Sequence, residues 1–335
     1  MAFYRYLLKR LLIVVPTLLG ASIIVFLMVH LIPGDPVTVM LGERATDAAR
    51  EALIQKLGLD QPLHVQFWTW LTNVSQGDFG VSIRTNTAVT EEIFSRLPAT
   101  VELTFAAIFI AVVFGIFFGV TAARYRNSIF DQMSIGFSLL GVSIPIFWLG
   151  MMMIFLFSVV MGWLPVSGRL TLGISLETIT GLYLIDSLLE GNMRAFWDAL
   201  RHLVMPAAAL STVSLALFVR VTRSSMLDVL NEDYVRTARA KGLNMNIVIY
   251  KHALKNALIP IVTVVGLSVA QLLGGAVLTE TVFSWPGIGR LLISSIGFRD
   301  YPMIQGIVFM LVFAFIIINL LVDLIYAYLD PRIRY

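Results

Sequence analysis

Histidine and cysteine, the side chains that most often bind metals or do catalysis, form no such pattern in this sequence. The four histidines, His30, His64, His202 and His252, are scattered, and no two stand at the spacing of metal ligands. They are interpreted as interfacial or surface residues. Cysteine is absent, which excludes disulfides and thiolate metal sites. The sequence also lacks the H-E-x-x-H and G-x-S-x-G motifs, so we predict no metal and no catalytic residue.

The lysines exclude nucleotide hydrolysis by a phosphate-binding loop. Such a loop ends in a lysine followed by serine or threonine, and no lysine of this chain has either residue after it. The formal net charge of +3 is too small to indicate a nucleic-acid partner. We therefore predict that the chain is not an enzyme and that it binds no cofactor of its own.

The basic segment 223–256 contains the pattern of a short exposed helix at 231–243. Asn231 is the predicted N-cap, and Asp233 lies in the first turn, where the helix dipole favours an acid. Gly242 is predicted to end the helix. A helix of this kind suits insertion into a groove on a partner protein.

One face of this predicted helix carries small or neutral side chains. Tyr234 and Ala238 are four residues apart and therefore share a face. The functional interpretation is that this face docks on a partner. The alternative is an ordinary basic loop that only sets membrane topology, and composition alone favours neither.

The elements that must position this helix are membrane spans. The chain is 58% hydrophobic and 13% charged, whereas a soluble domain is about 45–50% apolar and about 25% charged. A membrane helix needs about 20 apolar residues. The segments that qualify are 11–32, 100–123, 133–162, 203–222, 257–279 and 304–328.

Two of these segments allow more than one interpretation. The first follows Arg5, Lys9 and Arg10, but it is longer than a signal-peptide core, so we predict an uncleaved span. The segment 133–162 is long and contains Pro145. It is either one tilted, kinked helix or two short helices.

The loop charges predict the orientation. Six spans place 33–98, 164–201 and 280–303 outside, and 124–131 and 223–256 inside together with both termini. The inside segments carry 13 Lys and Arg residues against 10 outside, although they are about half as long. This excess agrees with the positive-inside rule. We predict a multi-pass membrane protein with both termini in the cytoplasm.

Residues 33–98 are predicted to form a small helical segment outside the membrane. Thr46 is placed to cap a helix over 47–57 that ends at Gly58, and Pro62 suits the start of a second helix. The segment is expected to pack on the membrane part, because about 65 residues are marginal for an independent core. The predicted division of the chain is 1–32, 33–98 and 99–335.

A few polar side chains lie in or beside the apolar segments. Glu102 and Asp323 are near the ends of their spans, which favours interfacial positions. Gln271 is deeper, and its amide either lines a translocation cavity or bridges helices. Trp285, in the outer turn Ser284-Trp285-Pro286-Gly287, is predicted to be an aromatic anchor at the membrane interface.

Small residues spaced four apart allow close helix packing in membranes. Such packing either joins this chain to a second membrane subunit or occurs within the chain, and the second interpretation is slightly favoured. The residues concerned are Gly115, Gly119, Gly266, Ala270 and Gly274.

The loop around Gly242 resembles the "EAA" coupling segment of bacterial ABC importer permeases. Aligned on Gly242, the chain has Arg236-Thr237-Ala238 where that segment has Glu-Ala-Ala, and only Ala238 matches. Leu258-Ile259-Pro260 resembles its terminal apolar-Pro element, after a longer gap.

These departures resemble the dipeptide/oligopeptide branch of the family, and in particular its B-type permeases. Motifs typical of that branch occur in order along the chain. They are I-P-G-D-P at 32–36, G-D-F-G-V-S at 77–82, S-I-P-I-F-W-L-G at 143–150, D-Y-V-R-T-A-R-A-K-G at 233–242, H-A-L-K-N-A-L-I-P at 252–260, L-T-E-T-V-F-S-W-P-G-I-G at 278–289, R-D-Y-P at 299–302 and D-P-R-I-R at 330–334.

The resemblance implies an all-α type I ABC importer permease fold with a small helical insertion after the first span, located in the bacterial cytoplasmic (inner) membrane. It implies a homologous second permease, two ATPase subunits that bind ATP and Mg, an extracytoplasmic substrate-binding protein, and membrane lipid. The residues implied in coupling to the ATPases are Asp233, Tyr234, Arg236, Thr237, Ala238, Arg239, Ala240, Lys241 and Gly242.

Di- and oligopeptides are the cargo that the resemblance implies. Related permeases carry nickel, glutathione, haem precursors or antimicrobial peptides, so these stay as alternatives. A secondary transporter would need membrane-buried charges in repeat-related broken helices, and no such pair is evident. An intramembrane enzyme would need a catalytic dyad, and none is evident.

Overall fold

The computed structural model describes residues 2–31, 37 and 46–329, in which helices are joined by turns and loops and no strand is named. The motifs predicted at 32–36 and 330–334 lie outside the described residues. In chain order the helices are α1 (Ala2–Leu31), α2 (Asp47–Leu57), α3 (Leu63–Ser75), α4 (Val89–Arg124), α5 (Ile129–Ser143), α6 (Ile146–Met153), α7 (Tyr183–Leu189), α8 (Met193–Leu230), α9 (Asp233–Ala240), α10 (Met245–Ile247), α11 (Leu254–Gly275), α12 (Val277–Val282), α13 (Ile288–Gly297) and α14 (Tyr301–Leu329). Two π-helical segments, Ile154–Val160 and Val248–Ala253, follow α6 and α10.

Among the described residues, four single helices are long and apolar enough to cross a membrane: α1, α4, α8 and α14. Two bent pairs pass the same criterion together. If each pair is one span, the total is the six that the sequence predicts. The fold class is therefore confirmed as all-α and multi-span.

Both bent pairs break beside a proline. Ile129–Ser143 and Ile146–Val160 meet at 103°, with Pro145 between them. The third segment is thus two short helices rather than one kinked helix. Met245–Leu258 and Pro260–Gly274 meet at 53°. Proline removes a backbone donor and clashes with the preceding turn, which is the physical cause of each break.

The predicted spans at 100–123 and 203–222 are the central parts of much longer helices. α4 has 36 residues and α8 has 38. At a rise of 1.5 Å per residue each is about 55 Å long, well beyond a hydrocarbon core of about 30 Å. The predicted boundary at 98/99 falls inside α4, so the outer segment and the bundle share one continuous helix.

α4 and α8 pack closely because α4 has glycine at the positions that face larger side chains of α8. A Cβ added at Gly115 would lie 2.6 Å from Cβ of Phe218, and one at Gly119 would lie 2.5 Å from Cβ of Thr222. Gly266 of α11 similarly meets Val322 of α14 at 2.5 Å. These three glycines pack against other helices of this chain, which favours the second of the two interpretations.

We expect Gly119→Val to destabilise the protein by about 1–3 kcal/mol, because the new side chain overpacks a tight helix contact. The nearest atoms include the backbone oxygen of Val219, at 2.9 Å, so the helices themselves must separate. The measurement is the thermal unfolding midpoint of the purified protein in detergent.

Gly136 in α5 supplies a matched control for this substitution. A Cβ there meets nothing within 4 Å, so Gly136→Ala should leave stability unchanged or raise it by about 0.5–1 kcal/mol. Equal midpoints for Gly119→Val and the unmodified protein would contradict the close packing of α4 on α8.

The outer helices follow their local signals. The hydroxyl of Thr46 accepts a hydrogen bond from the Ala49 amide, and α2 ends at Gly58 with φ of 65°. α3 begins directly after Pro62, as predicted. Aromatic contacts tie α3 to the bundle, since Phe67 and Trp70 pack on Phe26 and Phe309.

Candidate functional site

The predicted coupling helix exists, but it is shorter than 231–243. α9 covers Asp233–Ala240, and Gly242 follows it with φ of 75°, a backbone conformation that favours glycine. The prediction that Asn231 is the N-cap is wrong. Asn231 ends the preceding helix α8, and its side chain donates to the Leu227 carbonyl. Glu232 stands at the N-cap of α9 without a side-chain cap bond.

α9 has one buried face and one exposed face. Val235 is fully buried and Ala238 is 7% exposed, and both pack against Val248. Ala238 therefore does not present a free small-residue face, which corrects the prediction. The exposed side chains are those of Asp233, Tyr234, Arg236, Thr237, Arg239, Ala240 and Lys241.

The return segment after α9 holds it to the bundle. Val248 and Ile249 are buried in the π-helical segment, and Ile249 joins a cluster with Val120 of α4 and Met226 of α8. Tyr234 accepts a hydrogen bond from the Asn256 amide at 2.7 Å. This segment therefore connects α9 to both long spans.

A second set of polar contacts lies among the segments predicted to be outside. Glu102 of α4 is buried, and its carboxylate pairs with Arg169 at 2.5 Å. It also accepts the Leu184 amide at 2.9 Å. The interfacial position predicted for Glu102 is therefore wrong. A buried carboxylate needs a cation and hydrogen-bond donors beside it, and here Arg169 and the Leu184 amide supply them.

Arg169 was not singled out in the sequence. Its guanidinium lies 3.6 Å from the ring centre of Tyr183 and 5.5 Å from that of Trp285, and it also donates to the Gly181 carbonyl. It comes from the irregular loop before α7, so no helical or strand period marks it. The only sequence signal was the resemblance motif that contains Trp285.

Trp285 is not an interfacial anchor. It is 1% exposed, and its indole N–H donates to the Ala99 carbonyl of α4. Beside it, Glu280 is fully buried and accepts from the Thr100 hydroxyl and the Arg290 amide. A Cβ at Gly287 would lie within 2.2 Å of that carboxylate, which explains the glycine in this turn.

Further carboxylates organise the loops that are predicted to lie outside. Asp300 accepts from the Ser82 hydroxyl and so joins the G-D-F-G-V-S and R-D-Y-P motifs. Asp186 is buried and accepts from Thr180 and the Gly181 amide. Burial alone would raise the pKa of Asp186, but the hydrogen bonds from Thr180 and Gly181 outweigh it and lower the pKa.

The other predicted polar residues are separate from these groups. Gln271 is exposed, so it bridges to no other described helix of this chain, and its role in a cavity stays a prediction. Asp323 pairs with Arg10 at 2.7 Å in a half-exposed position. His202 is buried beside Asp198, which corrects its assignment as a surface or interfacial residue.

The last members of the small-residue set differ from each other. Ala270 is buried within this chain, whereas a Cβ at Gly274 would meet nothing within 4 Å. No group of His, Cys, Asp and Glu that could hold a metal occurs among the described residues.

The described residues form a multi-span helical bundle that carries a short basic helix, α9. Residues 111–335 match the family model described as the binding-protein-dependent transport system inner membrane component. Residues 3–104 match the N-terminal model of the same kind of protein. The chain belongs to this family and is a multi-pass inner-membrane transport component.

Curated relatives match the chain from end to end. The di/tripeptide transport system permease protein DppB of Pseudomonas aeruginosa is 50% identical over 98% of this chain and 98% of its own length. The dipeptide transport system permease protein DppB of Escherichia coli K12 is 49% identical over 99% of both. The glutathione transport system permease protein GsiC of Salmonella paratyphi A is 45% identical over 99% of both.

Proposed function

We propose that this chain forms half of the translocation pore of an ATP-driven importer for di- and oligopeptides. Relatives named for dipeptide transport are 47–50% identical to it over nearly its whole length. A second homologous permease completes the pore. The cargo crosses without reacting, so this chain needs no catalytic residue.

The single observation that carries the mechanism is the two-faced α9. Its inner face is fixed to the long spans through Val235 and Ala238, while Arg236, Arg239 and Lys241 are exposed for a partner. We propose that this face enters a groove on an ATPase subunit. ATP and Mg bind to the ATPases, and their closure moves α9 and the spans together as rigid bodies.

The outer loops offer a surface for the extracytoplasmic binding protein. Leu172 is 100% exposed at the tip of the loop between the third and fourth spans. The loop is held in place because Thr171 donates both its amide and its hydroxyl to Asp198. Because its side chain is fully exposed, Leu172 is accessible to a partner that approaches this loop.

The proposed orientation has both termini in the cytoplasm. It rests on the excess of Lys and Arg in the segments that include α9. The same orientation places Leu172 and the Glu102–Arg169 pair on the outer side. The ATPases and the binding protein therefore meet opposite ends of the bundle.

Photo-crosslinkers placed one at a time at Thr237 and Leu172 test this arrangement. In cells that express the whole transporter, we expect Thr237 to capture only an ATPase subunit and Leu172 to capture only the binding protein. Both positions are exposed, so neither replacement should disturb folding. Mass spectrometry of the cross-linked products is the measurement, and each position is the control for the other.

Capture of no nucleotide hydrolase from Thr237 would refute the coupling role, and capture of the ATPase from Leu172 would refute the orientation. The cargo is tested separately by uptake of labelled dipeptide and labelled glutathione into a strain that lacks this chain. We expect the chain to restore dipeptide uptake. Restoration of glutathione uptake alone would reassign the cargo.

A further inference from the structure

A small groove lies between α5 and α8, near the ends that the proposed orientation places at the cytoplasmic boundary. Its volume is about 280 Å³. It has an apolar wall, hydroxyl groups and two arginines. The residues that line it are Ile135, Ser138, Leu139, Val219, Arg220, Arg223 and Ser224.

The charge of this groove is not balanced by the part of the chain that the structure describes. Arg223 is neutralised by Asp131, to which it donates two hydrogen bonds at 2.5 and 2.8 Å. The Asn127 amide occupies the same carboxylate. In the described ranges no acid pairs with Arg220, which is exposed. Arg126, also exposed, adds a further positive charge near Asp131.

The wall beside Arg220 is apolar and open. In α5 only Asp131 and Ser138 are buried, so one narrow seam of the helix faces α8. Ile135 is 42% exposed and Leu139 is 58% exposed. Apolar side chains therefore extend from the groove along α5, and a lipid acyl chain could lie against them.

We infer that this groove binds an anionic phospholipid of the inner leaflet. Its phosphate would accept from Arg220 and from the Ser224 hydroxyl, which lies one helical turn away on α8. Its acyl chains would cover Ile135 and Leu139. Basic pockets between membrane helices on the cytoplasmic side suit such headgroups.

The apolar wall distinguishes a lipid from a small soluble anion. Inorganic phosphate or a peptide carboxylate would use Arg220 but would leave Ile135 and Leu139 uncovered. A second permease subunit could cover the wall, but it would have to bring an acid to Arg220. The lipid site does not depend on which cargo the transporter carries.

Native mass spectrometry of the purified transporter tests the inference. The complex is titrated with phosphatidylglycerol, and with zwitterionic phosphatidylcholine for comparison. Arg220→Gln should weaken phosphatidylglycerol binding about fivefold, as expected for one arginine near a membrane surface. Phosphatidylcholine binding should change less than about twofold, because its headgroup has no net charge.

Arg194→Gln is the matched control, because Arg194 is an exposed arginine near the opposite end of the same helix, α8. It should leave phosphatidylglycerol binding unchanged. A second variant, Ser224→Asp, keeps Arg220 but places an acid four residues away. That internal partner should weaken phosphatidylglycerol binding at least as much as Arg220→Gln.

Three results would overturn the lipid site. One is unchanged phosphatidylglycerol binding by both groove variants. Another is displacement of phosphatidylglycerol by an equal concentration of glycerol phosphate, which would show that a free phosphate suffices. The third is loss of the second permease from Arg220→Gln complexes with lipid binding intact, which would assign the groove to the subunit interface.

Discussion

Combined Arg236→Glu and Arg239→Glu substitutions in α9 are expected to lower peptide uptake at least about a hundredfold. Both side chains are on the exposed face, so the substitutions leave the buried contacts of Val235 and Ala238 intact. Reversed charges in a complementary docking groove cost several kcal/mol, and 2.8 kcal/mol is a factor of a hundred. Uptake of a labelled dipeptide into reconstituted vesicles is the measurement.

The loss of uptake should arise from failed association with the ATPases. The variant should insert into the membrane normally, but the ATPases should not co-purify with it. The pair Arg194→Glu and Arg299→Glu changes the formal charge equally, at exposed positions in the segments proposed to be outside. Uptake by this control should stay within about twofold of the unmodified transporter. Full uptake by the α9 variant would exclude an electrostatic contribution of these arginines to docking.

Ala238 shows why the placement of α9 needed the structure. The four-residue spacing of Tyr234 and Ala238 predicts that they share a face of a helix, but it does not say which residues of that face are covered. In the structure Tyr234 is exposed, whereas Ala238 is buried. The covering residue is Val248, which follows a turn at Gly242. Substitution of Ala238 by glutamate would therefore bury a charge inside this chain and would not test docking.

Local signals in the sequence were sufficient where a helix terminus depends on its immediate neighbours. Thr46 caps its helix and Gly58 and Gly242 end theirs, because a cap is a contact between residues a few positions apart. The same local reasoning gave a wrong N-cap at Asn231. It occurs at a junction where one helix ends and the next begins within three residues, and either helix could use it.

Contacts between distant segments could not be predicted. Glu102 and Arg169 are 67 positions apart, and Trp285 reaches Ala99 over 186 positions. Hydropathy assigns each of these residues by the stretch around it, so it places a glutamate near a span end at the interface. Only the packing of the outer loop on α4 shows that protein surrounds it.

Removing one member of the Glu102–Arg169 pair is expected to have the largest effect on stability. Arg169→Met leaves a carboxylate buried without its cation, a change that typically costs about 3–5 kcal/mol. The side chains are only 8% and 6% exposed, so water cannot replace the lost partner. A fall of about 10 °C in the unfolding midpoint of the purified protein in detergent is the expected reading.

The double variant Glu102→Gln and Arg169→Met separates the charge from the packing. The glutamine oxygen can still accept the Leu184 amide, and the methionine stem still fills the space beside Tyr183. Replacing both charges removes the unpaired ion, so the double variant should be more stable than Arg169→Met alone. Additive losses would mean that the two charges do not interact. If the two charges stabilise each other, the double variant should lose much less stability than the sum of the losses of the two single variants.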